Sequence, residues 1–146
     1  MEYQGRAGNP VTIPVVAAAP ALIAADASGI GQGAILNQNG SINSMANPAG
    51  RGSIVMLYGT GEGATTPAGV DGRIADSALP KPILPVQVSI AGRDAEVQYA
   101  GAAPRNVAGV FQINAVIPAD CPAGAVPVSV TIGGVTSPEL ATVAVQ

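Results

Sequence analysis

The sequence predicts an all-β protein folded as an antiparallel β-sandwich. Three observations carry that expectation. First, 19 Gly and 13 Pro punctuate the 146 residues so often that no stretch free of both exceeds eight residues. A helix of ordinary length, about 11–12 residues, would always meet a breaker. Second, short β-branched segments recur with turn clusters between them, and most alternate apolar with polar residues. Third, apolar residues make up 48% of the chain but aromatic residues only 3%, which suits a thin aliphatic core between two sheets. Gly plus Pro borders on the content of disordered chains, but the Val and Ile runs can bury enough surface to offset chain entropy.

Taken in order, Val11–Val16 (VTIPVV) is β-branched, and Pro14 confines it to an edge or irregular position. Ala17–Ser28 is Ala-rich, contains Pro20, and reads as an extended connector. Within Ala34–Asn43 the pair Asn39-Gly40 suits a two-residue type I′ hairpin turn, since both residues accept positive φ cheaply. Asn47 to Gly52 is a turn. Ser53–Tyr58 (SIVMLY) is almost continuously apolar and reads as a central strand buried on both faces. Gly59 to Pro85 reads as loop, with a helical turn near Ile74–Leu79. Val86–Ile90 and Ala95–Tyr99 alternate on either side of Ala91-Gly92-Arg93-Asp94 and form a second hairpin. Val110–Ile117 places Phe111, Ile113, Ala115 and Ile117 on one face, with Gln112 and Asn114 on the other. Val126–Ile132 places Val126, Val128, Val130 and Ile132 on one face. Gly133-Gly134 turns the chain, and Leu140–Val145 closes it.

The length suits one domain, or one domain with an appendage. A net charge of −3 with six basic residues argues against nucleic-acid binding. The chain has no His, so the commonest general base and metal ligand is missing. No apolar run approaches the ~18–20 residues of a membrane span. Val15–Ala25 contains Pro20 and lacks the form of a signal peptide. Cys121 is the one cysteine, which excludes an internal disulfide.

A weak internal echo links GRAGNPVTIPV (residues 5–15) with GGVTSPELATVAV (residues 133–145). Each runs from Gly through a small polar residue and Pro into a β-branched segment. Shared turn-and-strand chemistry accounts for this. The sharper alternative is that residues 1–16 are the last strand of a preceding unit. A surplus strand must then pair with this domain's edge, a neighbouring domain or another molecule.

SIVMLYGTGEG (53–63), VQVSIAGRDAEVQY (86–99) and FQINAVIPADCPAGAVPVSVT (111–131) follow one another in order. Together they resemble the immunoglobulin-like domains called IPT or TIG. Over residues 3–146 the chain also resembles a C-terminal domain of large secreted acidobacterial proteins. There, segments like GRAGNPVTIPVVAAAPALI, GQGAILNQNGSIN and ANPAGRGSIVMLYGTGEG precede the immunoglobulin-like part. The resemblance implies an immunoglobulin-like β-sandwich on a secreted or surface protein, without enzymatic activity. The expected organisation is an N-terminal extended strand (1–16), a connector with a β-hairpin (17–50) and the sandwich proper (51–146).

Catalytic and ligand constellations are weak. Asp71, Asp76 and Glu62 lie in the long loop without an EF-hand spacing and read as solvated carboxylates. Lys81, the single lysine, stands between Pro80 and Pro82 and reads as an exposed loop residue. Gly59-Thr60-Gly61-Glu62-Gly63 is followed by Thr65-Thr66-Pro67 rather than a helix, so it reads as a turn and not as a phosphate cradle. No metal or cofactor is expected. The favoured role is an extracellular structural module of a bacterial surface layer, fibre or adhesin. It would assemble head-to-tail by donating Val11, Thr12, Ile13, Val15 and Val16 to a second copy. The alternative is a carbohydrate- or surface-binding module with Tyr3 and Tyr99 as glycan contacts.

Overall fold

Phe111, Ile113, Ala115 and Ile117 are all buried, as the alternation of their segment requires, and so are Val126, Val128, Val130 and Ile132. These two rows face each other in a computed structural model that describes residues 2–77, 79–138 and 140–146, with backbone alone for residues 2 and 3. The strands are β1 (Glu2–Tyr3), β2 (Arg6–Ala7), β3 (Ala21–Leu22), β4 (Gly31–Gln32), β5 (Ile35–Asn37), β6 (Ile54–Thr60), β7 (Thr65–Thr66) and β8 (Lys81–Pro82). They continue with β9 (Val86–Ile90), β10 (Arg93–Ala95), β11 (Val97–Ala102), β12 (Val110–Val116), β13 (Gly124–Ile132), β14 (Val135–Thr136) and β15 (Ala141–Val145). No helix forms among the described residues.

Two sheets make an all-β sandwich. One runs β10-β9-β13-β15-β4, with β14 also on β13; the other runs β11-β12-β6-β3, with β5 also on β6. Neighbours are antiparallel except β15 and β4, which are parallel. Val55, Leu57 and the Phe111 row of one sheet pack in a single aliphatic cluster against Val88, Ile90, Val143 and the Val126 row of the other. Burying each such side chain contributes about 1.5–3 kcal/mol.

Local chemistry differs from expectation at four places. The Asn39-Gly40 hairpin forms, but only Gly40 has positive φ, at 81°. Its N–H bonds the Asn37 carbonyl at 2.8 Å, and the Asn37 N–H bonds the Ser41 carbonyl at 2.8 Å, so the loop spans three residues. Asn39 stays out of the left-handed region while its Oδ1 accepts from the Ser41 N–H and Oγ. The turn with positive φ at both centres is Ala91-Gly92, at 53° and 73°. Second, β6 is central but buried on one face: Val55 and Leu57 are buried, whereas Ile54, Met56 and Tyr58 are half-exposed. Third, the described residues of Ile74–Leu79 form no helical turn, and Ile74 bridges to Val107 instead. Fourth, the expected strand Ala95–Tyr99 is divided. Residues 93–95 pair with β9, and residues 97–102 cross to the other sheet and pair with β12.

Residues 17–50 do more than connect. β3 and β5 line the outer side of β6, and β4 lines β15. The Ala-rich segment runs against Gly59, Gly61 and Gly63 at close backbone range. A Cβ built on those glycines would sit 2.6, 1.9 and 2.1 Å from the carbonyl oxygens of Ala21, Ala19 and Ala17 respectively. The GTGEG motif is therefore a smooth track for a second backbone, which no side chain would permit.

Candidate functional site

The segment expected to donate a strand is the most exposed apolar stretch of the molecule. Val11, Ile13, Val15 and Val16 are 80%, 76%, 97% and 61% exposed, and Thr12 is exposed beside them. Residues 8–16 adopt no strand, and no hydrogen bond ties Val11–Val16 to the rest of the described residues. The chain before it turns back on itself in the small β1–β2 hairpin. Val11–Val16 is thus an apolar ribbon presented to solvent, with its backbone donors and acceptors unspent.

Sandwich edges decide where such a ribbon can dock. The outer side of β15 is filled by β4, by the Asn43 side chain and by Ala49. The outer side of β6 is filled by β3 and β5. On the opposite side of the sandwich, β11 is the terminal strand of its sheet. Its Ala102 N–H is bonded to the Pro80 carbonyl at 2.7 Å, but no strand flanks Val97–Ala100 among the described residues. That stretch, like β10 in the other sheet, is a sheet edge without a flanking strand among the described residues.

Pro10 and Pro14 fit such docking. In an extended strand, alternate residues direct their N–H groups to the same side. Pro10 and Pro14 share one parity, and Val11, Ile13 and Val15 share the other. The odd residues can hydrogen-bond an acceptor edge while both prolines face away, where a missing N–H costs nothing.

The remaining sequence candidates are scattered. Tyr99 is half-buried and its hydroxyl donates to the Ala102 carbonyl at 2.7 Å. Burial raises its pKa, with a smaller push from the Glu62 charge. The side chain of Tyr3 lies outside the described residues. Lys81 and Asp71 are exposed. Asp76 is exposed and accepts from the Ser77 N–H and Oγ, which lowers its pKa. Cys121 is buried and unpaired, and burial pushes its thiol up, away from the reactive thiolate. No group of three or more potential metal ligands occurs among the described residues. No helix is long and apolar enough to cross a membrane among them either.

One feature of the loop departs from the expectation of solvated carboxylates. Glu62 is only 7% exposed, its Oε2 has no hydrogen-bond partner, and burial raises its pKa. Its place in the sequence, between Gly61 and Gly63, carries no mark of burial. Comparison with protein-family models, curated proteins and solved structures finds no match to this chain.

Proposed function

We propose that this chain is a non-catalytic structural module of an extracellular bacterial surface protein, fibre or adhesin. Its sandwich would be of the immunoglobulin-like IPT/TIG kind, as the ordered motifs at 53–63, 86–99 and 111–131 suggest. It engages a second copy of itself by strand donation: Val11–Val16 of one molecule lies along the Val97–Ala100 edge of the next. The observation that carries this reading is the exposure of four large aliphatic side chains on a segment without backbone partners. Removing that surface from water favours association by about 25 cal/mol per Å², and the pairing satisfies backbone groups on both partners. Donor and acceptor are different surfaces, so the contact is heterologous and propagates head-to-tail.

Size-exclusion chromatography with light scattering, followed by negative-stain microscopy, tests this. The full chain should form concentration-dependent oligomers or filaments, and a chain lacking residues 1–16 should be monomeric. A full chain that stays a compact monomer at every concentration overturns the proposal.

A further inference from the structure

The long loop between β6 and β9 encloses a cleft of about 560 Å³, within the range of small-molecule sites. The cleft is held open by backbone bonds. β7 and β8 pair at the base of the loop. Its middle is docked on residues 105–108: Ala75 N–H to Asn106 O at 2.9 Å, Arg105 N–H to Ala75 O at 2.6 Å, and Ala108 N–H to Arg73 O at 2.8 Å. Val70, Ile74, Pro80 and Ala102 supply apolar wall, and Glu62 supplies a carboxylate.

That carboxylate is the unexplained part. Glu62 is more than nine-tenths buried, and its Oε2 is buried without a hydrogen-bond partner in the described residues. Leaving such a group unmatched costs free energy unless something else completes it. Arg73, the cation of the cleft wall, acts on Asp76, whose pKa it helps to lower. Glu62 has no ion pair among the described residues, and burial raises its pKa. Asp71 lines an adjoining hollow that also includes Glu62, so acidic groups outnumber basic ones around the space.

We propose that this cleft binds a small organic cation, with a primary ammonium group paired to Glu62 and an aliphatic body against Val70, Ile74 and Pro80. The ammonium supplies the donors and charge that Glu62 lacks, in a setting where water competes poorly. The cleft lining includes no residue of Val11–Val16 or Val97–Ala100, although the Glu62 charge is felt at Tyr99 on that edge.

Hexylammonium is a suitable probe, with 1-hexanol and hexanoate as isosteric neutral and anionic controls. Calorimetry and amide NMR should show saturable binding of hexylammonium, with shifts confined to residues 61–80 and 102–109. Glu62→Gln should weaken it by about tenfold or more. Ala68→Leu, which fills the mouth of the cleft from an exposed position, should weaken it without altering Glu62. A lysine-containing peptide that binds more tightly than hexylammonium assigns the natural cation to a protein side chain, and the reverse order assigns it to a free amine. The proposal is overturned if hexylammonium does not saturate by about 10 mM, if Glu62→Gln binds it as the unmodified chain does, or if hexanoate binds equally well.

Discussion

Asn43 stands in for a missing stretch of β-strand beside Ala144. Its Nδ2 donates to the Ala144 carbonyl at 2.9 Å and its Oδ1 accepts the Ala144 N–H at 2.8 Å, across 101 residues of sequence. The remaining amide hydrogen goes to Asn37 Oδ1 at 2.9 Å, and Oδ1 also takes the Gln32 Nε2 donor at 3.1 Å. Every hydrogen-bonding position of this fully buried amide is filled. Gly31 and Gln32 cover Ala141 and Thr142, Ala49 covers Val145, and Asn43 covers Ala144. The β15 edge is thereby closed by the chain's own residues.

Replacing Asn43 with Ala orphans the Ala144 N–H, leaves its carbonyl with the Ala49 N–H at 2.9 Å and breaks the Asn37 contact. We expect a loss of about 2–4 kcal/mol, read as a shift of the urea midpoint at unchanged slope. A loss under about 1 kcal/mol would show that water replaces the amide and that the edge is closed less firmly than the geometry implies.

Val11–Val16 is largely exposed and makes no hydrogen bond to the rest of the described residues, so stability and assembly should separate. Ile13→Asp and Val15→Asp should leave the melting temperature of the monomer nearly unchanged, within about 0.5 kcal/mol, while abolishing oligomers. Thr12→Asp lies on the opposite parity, with the prolines, and should be tolerated. Equal disruption by Thr12→Asp and Ile13→Asp, read by light scattering, would show that the side chains of Val11, Ile13 and Val15 are not the face that packs on the partner.

Alternation made the facing rows legible. Phe111 to Ile117 and Val126 to Ile132 each carry period-two patterns, and those faces became the core. Patterning could not show what depends on a distant partner. Asn43 is one of several Asn and Gln residues in a polar hairpin, and only the approach of Ala144 sets it apart. GTGEG reads as a turn because glycine suits turns. Its use as a track appears only with Ala17, Ala19 and Ala21 in place. Asn39-Gly40 and Ala91-Gly92 exchanged the expected turn geometry because Asn39 bonds Ser41 locally. Within the candidate site, Pro14 marked Val11–Val16 as an irregular apolar segment, and that is how it lies. The free edge of β11 was not legible, because it depends on which strands cover the others.

Glu62 should make the fold more stable in acid than the other carboxylates would suggest. Burial raises its pKa above the ordinary 4.5, so the folded chain holds this proton more tightly than the unfolded chain. Stability from this group is therefore greatest below about pH 4.5. It declines as pH rises through the folded pKa, and the cost is complete above that value. Glu62→Gln removes the charge at similar shape. At pH 7 it should raise the melting temperature by about 2–4 °C, and at pH 4 the two chains should melt together. A variant that melts lower than the unmodified chain at pH 7 would mean that the carboxylate is held by a favourable contact.

Gly61 should be the least replaceable glycine of the track. Its φ is +85°, and an added Cβ would lie 1.9 Å from the Ala19 carbonyl oxygen, whose residue also donates its N–H to the Gly61 carbonyl at 3.0 Å. An alanine there combines a disfavoured backbone conformation with a backbone clash that no rotamer change relieves. Gly61→Ala should cost more than about 2 kcal/mol and free residues 17–21 to exchange their amides, read by hydrogen exchange. Gly50 is the internal control. It lacks positive φ and a Cβ on it would meet nothing within 4 Å, so Gly50→Ala should be neutral or stabilise by up to about 1 kcal/mol through the unfolded chain. If both substitutions cost the same, the close approach of the two backbones is not what holds residues 17–21 to the sandwich.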